Sequence, residues 1–349
     1  EALRPQFHFS SKRGWNNDPN GLVYYEGEYH MFYQHNPFGW EWGNITWGHA
    51  ISTDLVHWVE QGDKLHIDEL GHMWSGSGVV DWNNTTGFQT GDEPPLVLIY
   101  TNAGGHYGQW SKDKSFTQGI AYSNDRGRTW TKYSENPVLG SVKKGTRDPK
   151  VQWWEETQEW AIVLYQEYPN VVGFYTSKDL KHWEPQGTMI SNHECPEMVR
   201  LPVDGDKTNG RWVHYAAHGQ YFIGEFDGKS FTKESEEIRF NYGNMFYASQ
   251  IFNDIPEEDG RTVQVAWARV NLPDMPFNQM MTFPVSLELR STDDGLRMFA
   301  YPVNEIEKLH GKKYAWSDEV LKAGDNPLED VKGNLFDIDV KIAVGDADE

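Results

Sequence analysis

The chain has 349 residues, a formal net charge of −21 and one cysteine, Cys195. Such acidity repels phosphate backbones and excludes nucleic acid as the partner, leaving a neutral or small one; a lone thiol excludes an intrachain disulfide framework. No apolar run approaches the ~20 residues of a membrane span.

The N-terminus, Glu1-Ala2-Leu3-Arg4, is not a signal peptide. The expected location is secreted, periplasmic or cell-surface, with a leader already removed; the cytoplasm is the alternative.

The first distinctive stretch, Arg13 to Gln34, opens on the polar knot Trp15-Asn16-Asn17-Asp18-Pro19-Asn20-Gly21. Taken alone it reads as a turn. Further along come short apolar runs such as Leu96–Tyr100, Trp160–Tyr165 and Thr262–Trp267. They are rich in β-branched and aromatic residues and are bounded by Gly, Asn, Asp or Pro, which predicts strands. Helix periodicity is scarce.

The opening pattern recurs. Asp18-Pro19 leads through Tyr24-Tyr25-Glu26 to Tyr33-Gln34, and Asp148-Pro149 leads through Trp153-Trp154-Glu155 to Tyr165-Gln166. A looser copy starts at Glu194-Cys195-Pro196-Glu197 and reaches Arg211–Tyr215. A second repeat follows each unit: Ser52-Thr53-Asp54 to Trp58, Ser123-Asn124-Asp125 to Trp130, Ser177-Lys178-Asp179 to Trp183, and, more faintly, Glu225 to Phe231. Each reads as a strand end, a polar turn and an aromatic on the next strand.

Units of roughly 45–70 residues with about four strands each are the size of propeller blades. The reading is an all-β, five-bladed β-propeller with blades near residues 15–60, 74–133, 147–185, 194–233 and 246–302; a β-sandwich is the structural alternative. A sandwich does not explain why the carboxylates recur at one place in the unit. In a propeller each first strand lines the central channel, so Asp18, Asp148 and Glu194 converge on one mouth of it.

After residue 303 the pattern changes. Tyr301–Leu309 reads as a short helix or closing segment, and the propeller is expected to span 1–310. Residues 311–332 read as a linker. Leu335–Ile342 alternates strictly and predicts a strand, the first of a C-terminal β-sandwich over 333–349 that is otherwise missing, as in a truncated chain.

Two close carboxylates can divide labour, one attacking while the other donates a proton, as in glycoside hydrolysis. A third beside an arginine, as in Arg147-Asp148, suits gripping sugar hydroxyls. Against this, an isolated Asp-Pro is ordinarily a turn start and an Arg-Asp neighbour pair ordinarily solvated charge; recurrence at equivalent positions favours the chemical reading. Burial and the nearby Asp18 charge predict a raised pKa for Glu194. No metal spacing, phosphate loop, dinucleotide fingerprint or nucleophile elbow stands out, and His49 and His57 read as packing or hydrogen-bonding residues.

The Trp15–Gly21 segment resembles the signature of glycoside hydrolase family 32, the invertase, inulinase and levanase family. Arg147-Asp148-Pro149 and Glu194-Cys195-Pro196 resemble its two other acidic motifs. Phe32–Gly39, Trp42-Gly43, Trp47–Ala50, Trp74–Ser77, Phe246–Gln250 and Met281–Pro284 follow in the family's order, so the resemblance covers about residues 6–310. It implies a five-bladed propeller followed by a β-sandwich, and hydrolysis of β-fructofuranosides with retention and without a cofactor. By motif, Asp18 would be the nucleophile, Glu194 the acid and base, and Asp148 the transition-state stabiliser. Asn17, Gln34, Trp42, Ser75 and Arg147 would line the fructose pocket, with Trp267 as a further addition. Trp15 is similar to the hydrolases rather than the transferases of the family. Pro276–Gln279 favours a bacterial type acting on levan or inulin over a dedicated invertase, with sucrose as a further substrate. The departures are Asn16 where Met is frequent, Asn241–Met245 in place of an acidic segment, and the missing sandwich. Two rival readings are a five-bladed glycosidase acting on arabinan or xylan and a non-catalytic carbohydrate-binding propeller.

Overall fold

Apolar runs pair with their sequence neighbours along the first 303 residues, and the fold is all-β. The structure, a computed structural model, describes residues 1–106, 108–191 and 193–343. Strands β1 (Gly14–Tyr25), β2 (Glu28–Asn36), β3 (Thr46–Ser52) and β4 (Val59–Leu65) form an antiparallel meander. A second meander holds β5 (His72–Val80), β6 (Leu96–Ala103), β7 (Phe116–Ser123) and β8 (Thr131–Lys132). A third holds β9 (Thr146–Trp154), β10 (Glu159–Gln166), β11 (Val171–Ser177) and β12 (Glu184–Ile190).

The remaining strands are β13 (Glu197–Val203), β14 (Asp206–Tyr215), β15 (Gln220–Phe226), β16 (Phe231–Lys233), β17 (Ile238–Arg239), β18 (Phe246–Ile251), β19 (Thr262–Ala268), β20 (Phe277–Asn278), β21 (Met280–Met281), β22 (Val285–Thr292) and β23 (Gly295–Pro302). Sequence spacing divides them into two units, but hydrogen bonding joins them into one ten-stranded sheet. The join is a single parallel pair, Val203 with Leu289, reinforced by Asp204, whose side chain accepts from the Ser291 amide and hydroxyl. Strand β20 leaves that sheet and pairs in parallel with β1, Gly14 with Phe277 and Trp15 with Asn278. The start and end of the strand region are thereby tied together.

The sheets pack face to face in sequence order. Phe32 and Trp47 of the first meet Leu98 and Tyr100 of the second. Val79, Val97 and Ile99 of the second meet Val151, Ile162 and Leu164 of the third. Val163 and Phe174 of the third meet Met198, Phe222 and Phe226 of the fourth. Strands β6, β10 and β11 are buried on nearly every residue, so burial of both their faces follows from stacking, while the outer strands β4 and β12 stay polar and more exposed.

The first strands of these groups also touch one another, through polar side chains. The Ser77 hydroxyl donates to the Pro149 carbonyl and accepts from the Val151 amide, both at 2.9 Å. Lys150 and Glu197 form a buried ion pair at 3.0 Å between β9 and β13. Asn253, just after β18, exchanges backbone hydrogen bonds with Leu22 and Tyr24 of β1. Its side-chain amide donates to the carbonyls of Gly78 at 2.7 Å and Val151 at 3.1 Å. One residue thus joins β1, β5 and β9 to β18.

The Ser-x-Asp repeat has one local geometry. Asp54 and Asp179 each accept two backbone amides of the following turn on one carboxylate oxygen, and the residue after the Asp, Leu55 or Leu180, is left-handed with φ near 60°. The tryptophan that follows donates its indole N–H to that residue's carbonyl, at 3.1 Å in both copies. This Asx turn feeds the fourth strand, and His57 is bonded to Asp54 within it.

Residues Glu1–Val303 make one unit and Asn304–Glu349 another. The 3-10 turn Asn304–Leu309 buries none of its residues and falls in the second unit, so the boundary lies at 303 rather than 310. Leu335–Ile342 forms no strand. The alternating pattern is present, but a strand exists only when its N–H and C=O groups find a ladder partner, and the described residues of this unit offer none. Residues 344–349 of the expected sandwich lie outside the described residues. No helix of the described residues is long and apolar enough to cross a membrane.

Removing the Asn253 amide leaves the Gly78 and Val151 carbonyls without that donor. Asn253→Ala is expected to cost about 2–4 kcal/mol. A lower urea midpoint with an unchanged m-value is the expected reading; an unchanged midpoint contradicts it.

Candidate active site

Asp18 was expected in a turn, but it lies inside the continuous strand β1. The strand is bulged there. Asn16 pairs with His35 and Pro19 with Tyr33, so three steps on β1 match two on β2. Proline has no N–H for the ladder and is tolerated in strands at bulges, and the extra residue re-aims the side chains beside it. The turn-forming composition does not make a turn here; antiparallel pairing with β2 converts it into a strand defect.

Strand β9 repeats the defect. Lys150 pairs with Val163 and Arg147 with Tyr165, so Asp148-Pro149 holds the extra residue. Asp148 takes the left-handed conformation, φ 61°, which aspartate tolerates better than most residues. Glu194 comes just before β13, followed by Cys195, also left-handed at φ 50°. Three carboxylates thus leave the ladder at the starts of three inner strands.

They meet around Cys195. Its thiol lies 3.7 Å from Asp18 Oδ2 and 3.5 Å from Asp148 Oδ2, and its amide donates to Asp148 Oδ2 at 3.1 Å. Asp18 also accepts from the Ser75 hydroxyl at 2.6 Å, from Asn17 Nδ2 at 3.1 Å and from Gln34 Nε2 at 3.4 Å. Asn17 donates to Gln34 Oε1 and accepts from the Trp15 indole N–H. These bonds fix both Asp18 oxygens before any ligand arrives.

Glu194 is gripped differently. Arg147 donates to its Oε2 from Nε at 2.9 Å and from Nη2 at 2.6 Å, and the Tyr247 hydroxyl donates to Oε1 at 2.6 Å. Arg147 also bonds Glu167 at 2.8 Å and stands 3.8 Å from Asp148. Its guanidinium packs over the Tyr165 ring.

The charges follow from these contacts. Burial, opposed by the Ser75 hydrogen bond and reinforced by the Glu194 charge, pushes Asp18 up to about 6. Burial raises Asp148 as well, against the pull of Arg147. Burial works upward on Glu194 too, but the Arg147 charge and the bonds from Tyr247 and Arg147 outweigh it and hold Glu194 below the usual carboxylate range. The expected raised pKa of Glu194 is therefore corrected to a lowered one. Its partners come from β9 and β18, distant in sequence from Glu194.

The three carboxylates and Arg147 line one cavity of about 860 Å³. Asn17, Asp18, Gln34, Trp42, Arg147, Asp148, Glu194 and Trp267 are on its wall. Ser75 is fully buried behind Asp18. Trp74, His106 and Tyr247 also line the cavity and, with Cys195, were missing from the expected set. Cys195 directly follows Glu194, and that adjacency is the available signal; Tyr247 stands inside the Phe-Tyr-Ala-Ser-Gln segment, with no acidic neighbour to mark it.

The N-terminal domain of glycosyl hydrolases family 32 matches residues 8–302. The chain is 40% identical to a levanase of Bacillus subtilis (strain 168), with all of this chain and 54% of that protein covered. It is 32% identical to an extracellular exo-inulinase of Aspergillus awamori, covering 98% of this chain and 73% of that one. Its fold is similar to the solved structure of a fructofuranosidase from Schwanniomyces occidentalis complexed with fructose. That match has a TM-score of 0.78 and 32% identity, over 86% of this chain and 63% of the other. The chain therefore spans about half the length of the Bacillus levanase.

Arg147→Met leaves Glu194 and Asp148 buried without their cation, at a cost of about 3–5 kcal/mol near neutral pH. Both carboxyls would then have folded-state pKa values above their unfolded ones. The folded variant would bind protons more tightly, so its deficit is largest at high pH and shrinks as pH falls through those values. Thermal midpoints between about pH 5 and 8 should show the variant closing on the parent toward the acid end; a pH-independent gap contradicts the charge pairing.

Proposed function

Because the chain belongs to glycosyl hydrolases family 32, we propose that it hydrolyses β-fructofuranosidic bonds in levan or inulin, and also in sucrose, with retention of configuration. The carrying observation is the meeting of Asp18, Asp148 and Glu194 on one cavity, linked by Cys195 and Arg147. The strand groups 14–65, 72–132, 146–190, 197–233 and 246–302 are read as five blades, and the parallel pairing of β1 with β20 supports closure of the ring. A polymeric substrate favours an exported protein.

In this reading Asp18 attacks the anomeric carbon of fructose while Glu194 gives its proton to the departing glycosidic oxygen. Water then displaces Asp18, and Glu194 takes the proton that water loses. The atoms balance over two displacements at one carbon, hence retention. The donors on Asp18 hold it in line for attack. Asp148, steadied by the Cys195 amide, accepts fructose hydroxyls, and Arg147 holds both Asp148 and Glu194 in register.

The reactive form has one proton shared by Asp18 and Glu194, located on Glu194. Of the two carboxyls, Asp18 binds that proton more tightly before sugar binds, because Arg147 and Tyr247 stabilise the Glu194 carboxylate. Filling the cavity with sugar expels water and adds to the burial that raises Glu194. The pair therefore titrates as a unit.

The expected kcat/KM profile is bell-shaped. Below the lower value both carboxyls are protonated and the nucleophile is lost. As pH rises through about 6 the last shared proton leaves and the acid is lost. A flat profile from about pH 5 to 8 contradicts the shared proton.

Asp18→Asn should lower kcat by about 10⁴-fold or more with the fold intact. Chromatography of products from levan, inulin, sucrose and arabinan decides the substrate class. Fructose from the first three supports the reading; arabinose without fructose, or near-parental turnover by Asp18→Asn, overturns it.

A further inference from the structure

A second cavity, of about 750 Å³, shares the Trp42 wall with the carboxylate cavity. Nothing in the proposed cleavage uses it. Two large rings are held open at it, Trp40 at 59% and Trp110 at 49% exposure. Glu41, Asn44 and His72 supply polar lining. Exposed tryptophans gathered in a groove are unusual on a soluble surface, where such area is normally buried, and they mark binding sites.

The groove is built rather than loose. Asn36, at the end of β2, donates from its amide to the Glu41 carbonyl at 2.8 Å and accepts from the Phe38 amide at 3.1 Å, which shapes the loop. The Trp40 carbonyl accepts from Asn278 Nδ2 at 2.9 Å, so the loop is tied to β20 beside β1. The Trp110 ring stacks on His72, with centroids 5.8 Å apart and planes 21° off parallel. Trp42 meets Trp74 and His106 edge-on, at 5.9 and 5.6 Å, and both of those line the carboxylate cavity. One aromatic wall therefore runs from the carboxylates to the second groove.

The lining chooses the ligand. Indole faces pack against the C–H faces of a sugar ring, while Glu41 and Asn44 accept or donate to its hydroxyls. Glu41 disfavours an anionic ligand. The volume falls within the ~300–1,000 Å³ typical of small-ligand sites, which suits a sugar unit. Continuity across Trp42 identifies which sugar. We propose that the Trp40–Trp110 groove is a second carbohydrate subsite that holds a unit of the same glycan chain, several linkages away from the bond cleaved. This rests on the fructan-hydrolase reading. It adds that the protein discriminates polymer from sucrose outside the carboxylate cavity.

The test uses the full-length protein and the double variant Trp40→Ala/Trp110→Ala, with Trp40→Phe/Trp110→Phe as the conservative control. The Ala variant should raise KM for long-chain levan by about tenfold, with kcat on levan and kcat/KM on sucrose changed less than twofold; the Phe variant should recover most of the levan affinity. Affinity electrophoresis in levan gels, run in the Asp18→Asn background, should show the same loss of retention without turnover. Unchanged levan KM and retention overturn the subsite, as does a parallel loss on levan and sucrose. If the unsubstituted protein releases no fructose from any substrate, yet retention in the gel still depends on the two tryptophans, the hydrolase reading fails and the subsite stands.

Discussion

Arg147 makes two hydrogen bonds to Glu194 and one to Glu167, and stands 3.8 Å from Asp148. Taking several carboxylates out of water is costly unless a cation compensates them, and this guanidinium does so from one fixed position. It also orders their charges. Glu194, closest to Arg147 and Tyr247, is held ionised; Asp18 and Asp148, more deeply buried and repelled by Glu194, are pushed upward. The three carboxyls therefore hold protons with unequal strength, although they share one cavity.

That arrangement depends on strands broken at matching places. The bulges at Asn17-Asp18 and at Asp148-Pro149 each turn a carboxylate out of the ladder on an otherwise buried strand. Cys195 occupies the space between them, its thiol within 3.7 Å of one and 3.5 Å of the other. Burial raises the pKa of this thiol well above its ordinary value. It acts as a neutral, weak donor of suitable size, and a charged side chain in its place would upset the balance that Arg147 maintains.

The scaffold holds these strands together with polar as well as apolar contacts. Ser77, the Lys150–Glu197 pair and Asn253 link the inner strands, and the apolar clusters continue from them outward between the sheets. Unpaired inner-strand carbonyls demand donors once they are buried, and each of these side chains meets that demand across a sheet boundary. The same inner strands carry the site, so its geometry inherits their rigidity. The tryptophan groove, by contrast, stands on loops, with Trp40 tied to β2 and β20 and Trp110 stacked on His72.

Much of this was legible in the residue order. Strand composition, the spacing of the repeats and the recurrence of Asp-Pro, Asp-Pro and Glu-Cys-Pro are local properties, and they were enough to mark Asp18, Asp148 and Glu194 and the residues around them. The Asx turns at Asp54 and Asp179 were likewise written in a few adjacent residues. Three features were decided only by tertiary structure. Asp18 lies in a bulged strand because the register of β2 opposes it, and register is a property of two strands. Glu194 is held ionised because Arg147 and Tyr247 arrive from β9 and β18, and a pKa depends on the sum of contacts rather than on burial alone. The alternating run at 335–342 remained unpaired because alternation prepares a strand, while only a neighbouring strand completes it.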